Sequence, residues 1–111
     1  MGLAEAADAS RAVLAYRNSK LIGFFRYSFF QDFKLPNILV GAGTWVSARH
    51  RGRGIGKRLW ELAIKKQQAA NIEVYAATRE GLLLVRRMKK QYPKLQWDIT
   101  ASTSAYRGEN T

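Results

Sequence analysis

The residues best suited to chemistry form a short glycine-rich turn. Arg51, Gly54 and Gly56 follow an R-x-x-G-x-G spacing, and Lys57 comes next. Glycines let the backbone adopt positive φ angles and approach a ligand closely. The free N–H groups at the start of a helix point at whatever lies before it, and the helix dipole favours an anion there. The turn therefore predicts a cradle for a pyrophosphate group.

Other phosphate-binding turns have different spacings. The dinucleotide fingerprint is G-x-G-x-x-G, and the Walker loop needs Ser or Thr after its lysine, whereas Arg58 follows Lys57 here. A basic strand-to-helix turn that binds no ligand is the alternative interpretation.

The elements on either side must position this turn. An extended segment, residues 37–46, is predicted before it, with Gly41 and Gly43 indicating a bulge or a close approach to the backbone. An amphipathic helix over 55–70 is predicted after it, because its apolar residues recur on one stripe. Asn71 is predicted to stop that helix.

The remaining elements follow from the same periodicities. An aromatic-rich hairpin over 12–30 comes first, and after the central helix come a strand over 72–77, a helix over 79–91 and a strand over 95–100. The predicted order is β-β-β-α-β-α-β. Residues 11–100 are predicted to form a single domain, with a leader over 1–10 and a polar tail over 101–111.

This combination resembles the first signature motif of the GNAT family of N-acetyltransferases. In it, an extended segment ending in Thr44-Trp-Val-Ser leads into the Arg51–Gly56 turn and a helix. The resemblance implies an α/β (α+β) fold with a mixed, mostly antiparallel sheet, and acetyl-CoA or CoA as the bound molecule. It further implies a cofactor site at Trp45, Val46, Ser47, Arg51, Gly52, Arg53, Gly54, Ile55, Gly56 and Lys57.

The acid and base that the family often uses are harder to place. Residues 37–46 contain no carboxylate, and Arg86 and Arg87 stand where a tyrosine is common. Tyr75 and Tyr92 are the remaining candidate catalytic residues, although core or rim positions suit them as well. His50 in the outer turn and Glu80 at a helix start have ordinary structural interpretations.

The family usually begins with a strand and two helices, whereas about ten residues precede the first strand here. The resemblance therefore implies an acceptor site that is open or that another chain completes, as in a homodimer. A macromolecular acceptor, protein or nucleic acid, tolerates an open site better than a small amine does. The implied mechanism is direct attack of the acceptor amine on the thioester.

Composition limits the remaining classes. The chain has 111 residues and no cysteine, which excludes disulfides, thiolate metal sites and a cysteine nucleophile within it. With one histidine, no metal site is expected. No apolar run reaches the length of a membrane span, so we expect no membrane association and a cytoplasmic protein.

The net charge is +11, and residues 49–94 contribute thirteen Lys or Arg against three Glu. This excess attracts polyanions and leaves room for a second anionic partner, for which nucleic acid is one candidate. The candidate surface is a run in the second helix and beyond it, Arg86, Arg87, Lys89, Lys90 and Lys94. Two alternative functions follow: a nucleic-acid-binding or nucleic-acid-modifying protein on this fold, and a CoA-binding protein without turnover. A solvated helix face is the structural alternative for the run.

Overall fold

The computed structural model describes residues 10–30 and 37–107, so the predicted leader lies almost wholly outside the described residues. The strands are β1 (Ser10–Arg17), β2 (Lys20–Phe30), β3 (Ile38–Val46), β4 (Asn71–Ala76) and β5 (Gln96–Ala101). The helices are α1 (Ile55–Gln67), α2 (Arg79–Gln91) and the short α3 (Thr103–Arg107), and Ala48–His50 forms a 3-10 turn.

The described strands form one mixed sheet in the order β1-β2-β3-β4-β5. β1 with β2 and β2 with β3 are long antiparallel pairs, while β3 with β4 and β4 with β5 are shorter parallel pairs. The helices α1 and α2 supply the crossovers that parallel neighbours require. The predicted fold class and element order are confirmed.

β3 and β4 pair over only part of their length. Their register runs from Ile38 opposite Asn71 to Gly41 opposite Val74 and stops there. Beyond that point residues 43–46 of β3 remain paired with β2, which leaves the other edge of β3 without a described partner. The sheet therefore splits between β3 and β4, at the end from which both α1 and α2 depart.

The bulge predicted in the third strand lies at the start of this split. Arg26 pairs with Gly43 but Tyr27 pairs with Gly41, so Ala42 is an extra residue in β3. An extra residue bends a strand and increases its local twist. The bulge thus turns the end of β3 away from β4.

The core lies between one face of the sheet and the helices α1 and α2. Its centre is Trp60, which is 2% exposed and stacks on Phe25 with a ring-centroid distance of 4.3 Å. The indole Nε1 donates a 3.0 Å hydrogen bond to Thr44 Oγ1. Trp60 therefore ties α1 to the part of β3 that has left β4.

Two predicted boundaries need correction. The central helix ends at Gln67 rather than Ala70, because Gln68 adopts a left-handed conformation (φ 51°) and closes the helix through Ile64 and Lys65 carbonyls. Asn71 begins β4 instead of stopping the helix. In the segment interpreted as a polar tail, Thr103–Arg107 is helical, and its Ala105 is fully buried beside Ala76 and Leu82.

A pair of glycines in β3 tests this packing. A Cβ added to Gly41 would lie 3.2 Å from Trp60 Cη2 and 3.3 Å from Val74 Cγ2, whereas at Gly43 it would meet nothing within 4 Å. We expect Gly41→Ala to lower the free energy of unfolding by about 1 kcal/mol through overpacking. Gly43→Ala is the matched control and should change it by less than about 0.5 kcal/mol. Urea unfolding measures both, and equal midpoints would contradict the packing described.

Candidate functional site

The segment between β3 and α1 is held by its own side chains. Ser47 Oγ and His50 Nδ1 are 2.6 Å apart, which closes the 3-10 turn. The Nε of Arg51 donates a 2.9 Å hydrogen bond to the carbonyl oxygen of Val46. The single histidine therefore has a local structural partner, and Arg51 is folded back onto the end of β3.

The glycines of the turn set the start of α1. Gly52 and Gly54 have φ angles of 76° and 79°, the left-handed region that glycine enters without steric cost. Gly54 is the N-cap residue and has no side-chain cap, and the first helical hydrogen bond runs from Arg58 N to Gly54 O. The N–H groups of residues 55–57 precede that bond and have no acceptor within the helix.

The electrostatic surroundings of these N–H groups are positive. The first turn of α1 contains no acidic residue, and the cations Arg51, Arg53 and Lys57 are exposed around it. A helix N-terminus carries a partial positive charge, and the cations add to it. This end of α1 is suited to bind an anionic group.

A cleft leads from this helix start into the split of the sheet. Its outer part lies between the end of β3, the start of α1 and the start of α2, and has a volume of about 310 Å³. Its inner part, about 230 Å³, lies where β3 and β4 separate and is floored by Trp60 and Phe25. Both parts share Thr44, Thr78, Gly81 and Leu84, so they form one continuous groove.

Part of the predicted cofactor set lines this groove directly. Trp45, Val46, Arg51 and Gly56 line the outer part. The other members of the set, Ser47, Gly52, Arg53, Gly54, Ile55 and Lys57, lie in the adjoining turn or the first turn of α1. The structure therefore brings the predicted set to one end of the groove.

The two candidate tyrosines are separated. Tyr75 lines the inner groove and its side chain is 59% exposed. Tyr92 follows the far end of α2, a helix of 13 residues, and so lies about 20 Å along the helix from Thr78 at its start. There its ring packs against the core, and its carbonyl oxygen accepts a 2.9 Å hydrogen bond from Trp97 Nε1. The structure does not place Tyr92 at the site.

Several groove residues were not among the predicted site residues. Thr78 caps α2 by accepting a 3.1 Å hydrogen bond from Gly81 N, and Leu84 forms the wall opposite Gly56. A threonine before a helical run is a recognisable capping signal. It predicts where α2 begins, but it does not indicate that this helix start faces that of α1. Glu80 also lines the outer groove, in the first turn of α2.

The described residues contain neither a metal-binding cluster nor a membrane-spanning helix. Over 10–30 and 37–107, no group of three or more His, Cys, Asp or Glu side chains is placed to hold a metal ion. Within the same ranges, no helix is long and apolar enough to span a bilayer.

A sequence model of the acetyltransferase (GNAT) family matches residues 3–88, which is more than half of the chain. No curated protein sequence matches the chain.

Solved structures share the fold at low sequence identity. A ribosomal-protein-alanine N-acetyltransferase from Brucella melitensis biovar Abortus 2308 is 21% identical, with a TM-score of 0.58 over 76% of this chain and 61% of that one. An aminoglycoside acetyltransferase from an uncultured soil metagenomic sample is 21% identical, with a TM-score of 0.63 over 73% and 59%. A predicted acetyltransferase from Clostridium acetobutylicum, solved with acetyl-CoA, is 15% identical, with a TM-score of 0.59 over 75% and 58%. This chain thus spans about three fifths of their length.

The two glycines at the start of α1 should respond differently to the same substitution. Gly54→Ala puts a side chain at φ 79°, so we expect the free energy of unfolding to fall by about 1 kcal/mol. Gly56→Ala places a Cβ 3.4 Å from Leu84 Cδ2, an ordinary contact, in a helix that alanine favours. It should leave stability unchanged or raise it slightly. Thermal unfolding measures both, and a larger loss for Gly56→Ala would contradict the described turn.

Proposed function

The chain belongs to the GNAT acetyltransferase family, and from this premise we propose that it is an N-acetyltransferase that uses acetyl-CoA and acts on a macromolecular acceptor. The observation that carries the proposal is the continuous groove from the start of α1 to the split between β3 and β4. A pyrophosphate fits one end of that groove, and an extended chain fits the other.

The anion-binding end fits the diphosphate of CoA. The N–H groups of residues 55–57 lack helical acceptors, and Gly52 and Gly54 keep side chains away from the approach. At Gly52 and Gly54 a Cβ would meet nothing within 4 Å, so the approach is open. Arg53 and Lys57 supply charge that complements phosphate.

The split sheet fits a chain that carries amide groups. The edge of β3 over residues 42–46 has no described strand beside it, so its backbone N–H and C=O groups can pair with a ligand as they would with a strand. Trp60 and Leu84 line the same groove with apolar surface. A pantetheine arm, with two amides on an otherwise flexible chain, matches this edge.

Acetyl-CoA would supply the acetyl group as a thioester that the acceptor amine attacks directly, with release of the CoA thiol. The protein then needs to hold both partners close together, and such positioning lowers a barrier substantially. β3 contains no carboxylate, and of the two candidate tyrosines only Tyr75 lines the groove. We therefore propose that Tyr75 is the hydroxyl nearest the reacting end and that positioning supplies most of the rate.

The acceptor side of the groove is open. Tyr75 and Trp45, at the two margins of the split, are 59% and 39% exposed. An open site favours an acceptor that is bound through surfaces outside the site. Among the structural neighbours, one title names a ribosomal-protein N-acetyltransferase and another an aminoglycoside acetyltransferase, so both acceptor classes occur on this fold.

CoA binding should depend on the start of α1. Gly56→Leu should abolish it, because a larger side chain beside Leu84 fills the outer groove. The double variant Arg53→Gln/Lys57→Gln should weaken it about tenfold through the lost charges. Lys65→Gln/Lys66→Gln removes the same charge from the other end of α1 and should change affinity less than about twofold. Isothermal titration calorimetry measures all three, and failure of the unmodified protein to bind CoA would overturn the cofactor assignment.

Turnover should depend only weakly on the tyrosines. Tyr75→Phe and Tyr92→Phe should each lower the rate by about tenfold or less, against the larger factors typical of an essential general acid. Release of thiol from acetyl-CoA with casein as the lysine-bearing acceptor measures the rate. Free lysine at the same amine concentration is the control for acceptor size and should react more slowly. A loss of several orders of magnitude for either variant would show that positioning is not the main contribution.

A further inference from the structure

The two faces of the sheet differ in how they are covered. In the middle of β2 every second side chain faces α1 and α2, and these side chains, Phe25 and Tyr27, are buried. Those on the opposite face of β1, β2 and β3 have no described helix over them, and large apolar residues remain exposed there. They include Leu14 (48% exposed), Tyr16 (61%), Leu21 (41%) and Trp45 (39%). Leu14 and Tyr16, on the edge strand, also line a cavity against α1. Exposed apolar area of this kind on one face usually marks a binding surface.

The centre of this face is an aromatic pair. Phe24 lies opposite Trp45 in the β2–β3 register, and their rings stack with a centroid distance of 5.6 Å. Leu14 lies opposite Phe24 on the other side, and Tyr16 is two residues further along β1 on the same face. We call Tyr16, Phe24, Trp45 and the nearby Arg26 the aromatic face.

Arg26 adds a positive charge beside Gly43, where no side chain covers the backbone. It is exposed, it alternates between the buried Phe25 and Tyr27, and it therefore lies on the same face as Phe24. Its β3 partner is Gly43, where a Cβ would meet nothing within 4 Å. A flat group can thus lie over Gly43, between the guanidinium of Arg26 and the ring of Trp45.

The charge of this half of the sheet is uniformly positive. The strands β1, β2 and β3 contain four Lys or Arg and no Asp or Glu. The β4–β5 half of the same face carries Glu73 and Asp98, both exposed. The cationic half is therefore the half that carries the aromatic pair.

We propose that the aromatic face binds single-stranded nucleic acid. Bases stack on Tyr16, Phe24 and Trp45, and Arg26 contacts the backbone phosphate. Aromatic rings on an open sheet together with a positive field are what such strands require, because unpaired bases expose their flat faces. Duplex bases stack on one another and leave no free face for Trp45.

A second copy of the chain fits this face poorly. In a twofold dimer centred on Phe24 and Trp45 the same patch would face itself, so Arg26 of one copy would meet Arg26 of the other. A polyanion removes this repulsion. The aromatic face is also distinct from the basic run on α2, since α2 packs on the opposite side of the sheet, against β4 and β5.

The proposal concerns binding and does not depend on acetyl transfer. Its probe is a labelled oligothymidylate of about 15 nucleotides, titrated while anisotropy and tryptophan fluorescence are followed. Trp60 is buried, and Trp97 is half-buried against the core, so quenching by stacked bases should come from Trp45. We expect salt-dependent binding, quenching that disappears in Trp45→Leu, and weaker binding to a duplex of the same length.

Substitutions on the aromatic face test where the nucleic acid binds. Trp45→Leu and Phe24→Leu keep an apolar side chain but remove the stacking ring, and each should weaken binding about tenfold. Arg26→Gln should lower the slope of log affinity against log salt by about 0.7. Two controls should change affinity less than about twofold. They are Lys89→Gln/Lys90→Gln, on the exposed side of α2, and Tyr75→Leu, beside Glu73. Unfolding midpoints check that each variant folds.

Four results would overturn the proposal. The first two are unchanged affinity in both Trp45→Leu and Phe24→Leu, and a larger loss of affinity in the α2 control than in either of these variants. The third is binding of the duplex as tight as binding of the single strand. The fourth is quenching of Trp45 fluorescence by polyglutamate equal to that by the oligonucleotide. The last result would show that the face binds acidic protein segments. Trp45 also lines the outer groove, so CoA calorimetry uses variants at the start of α1, outside the aromatic face, and the failure of one experiment leaves the other standing.

Discussion

The separation of β4 from β3 after Gly41 is the constraint on which the site depends. Paired strands satisfy each other's backbone groups, so a binding edge exists in the middle of a sheet only where two neighbours diverge. The structure meets this requirement with a bulge at Ala42 and with Trp60, whose indole hydrogen-bonds Thr44 on the diverging part of β3. The contacts that pack Trp60 into the core therefore also keep β3 away from β4 and leave the groove open.

The two crossover helices, α1 and α2, complete the site because both begin at the same end of the sheet. β3 and β4 are parallel, so their carboxyl ends lie together and α1 and α2 both begin beside the split. Ligands in sheets of this kind bind at such a point, where neighbouring connections diverge. The glycine turn provides the uncapped start of α1, and Thr78 caps the start of α2 across the groove. The proposed anion site is accordingly at the start of α1.

Local features of the site could be predicted from the sequence, and relations between distant strands could not. The Arg51–Gly56 turn, the element order and the bounds of α2 follow from spacing and periodicity within short windows. The apolar pattern predicts the end of α1 three residues too late, because nothing in it marks Gln68 as left-handed. Tyr75 and Tyr92 were equal candidates in sequence, and only the direction of α2 separates them. Alternation in β2 divides its aromatics between two faces, but it does not indicate which face the helices cover.

Hydrogen exchange of the backbone, with and without CoA, tests the central claim most directly. If CoA occupies the groove, amides in residues 42–46 of β3 and 54–57 at the start of α1 should exchange more slowly together. The paired segment from Ile38 to Gly41, which already has β4 beside it, should be unaffected. Slower exchange at both segments is the result this account predicts. Protection confined to the glycine turn, or found in neither segment, would contradict the claim that the split between β3 and β4 is the binding site.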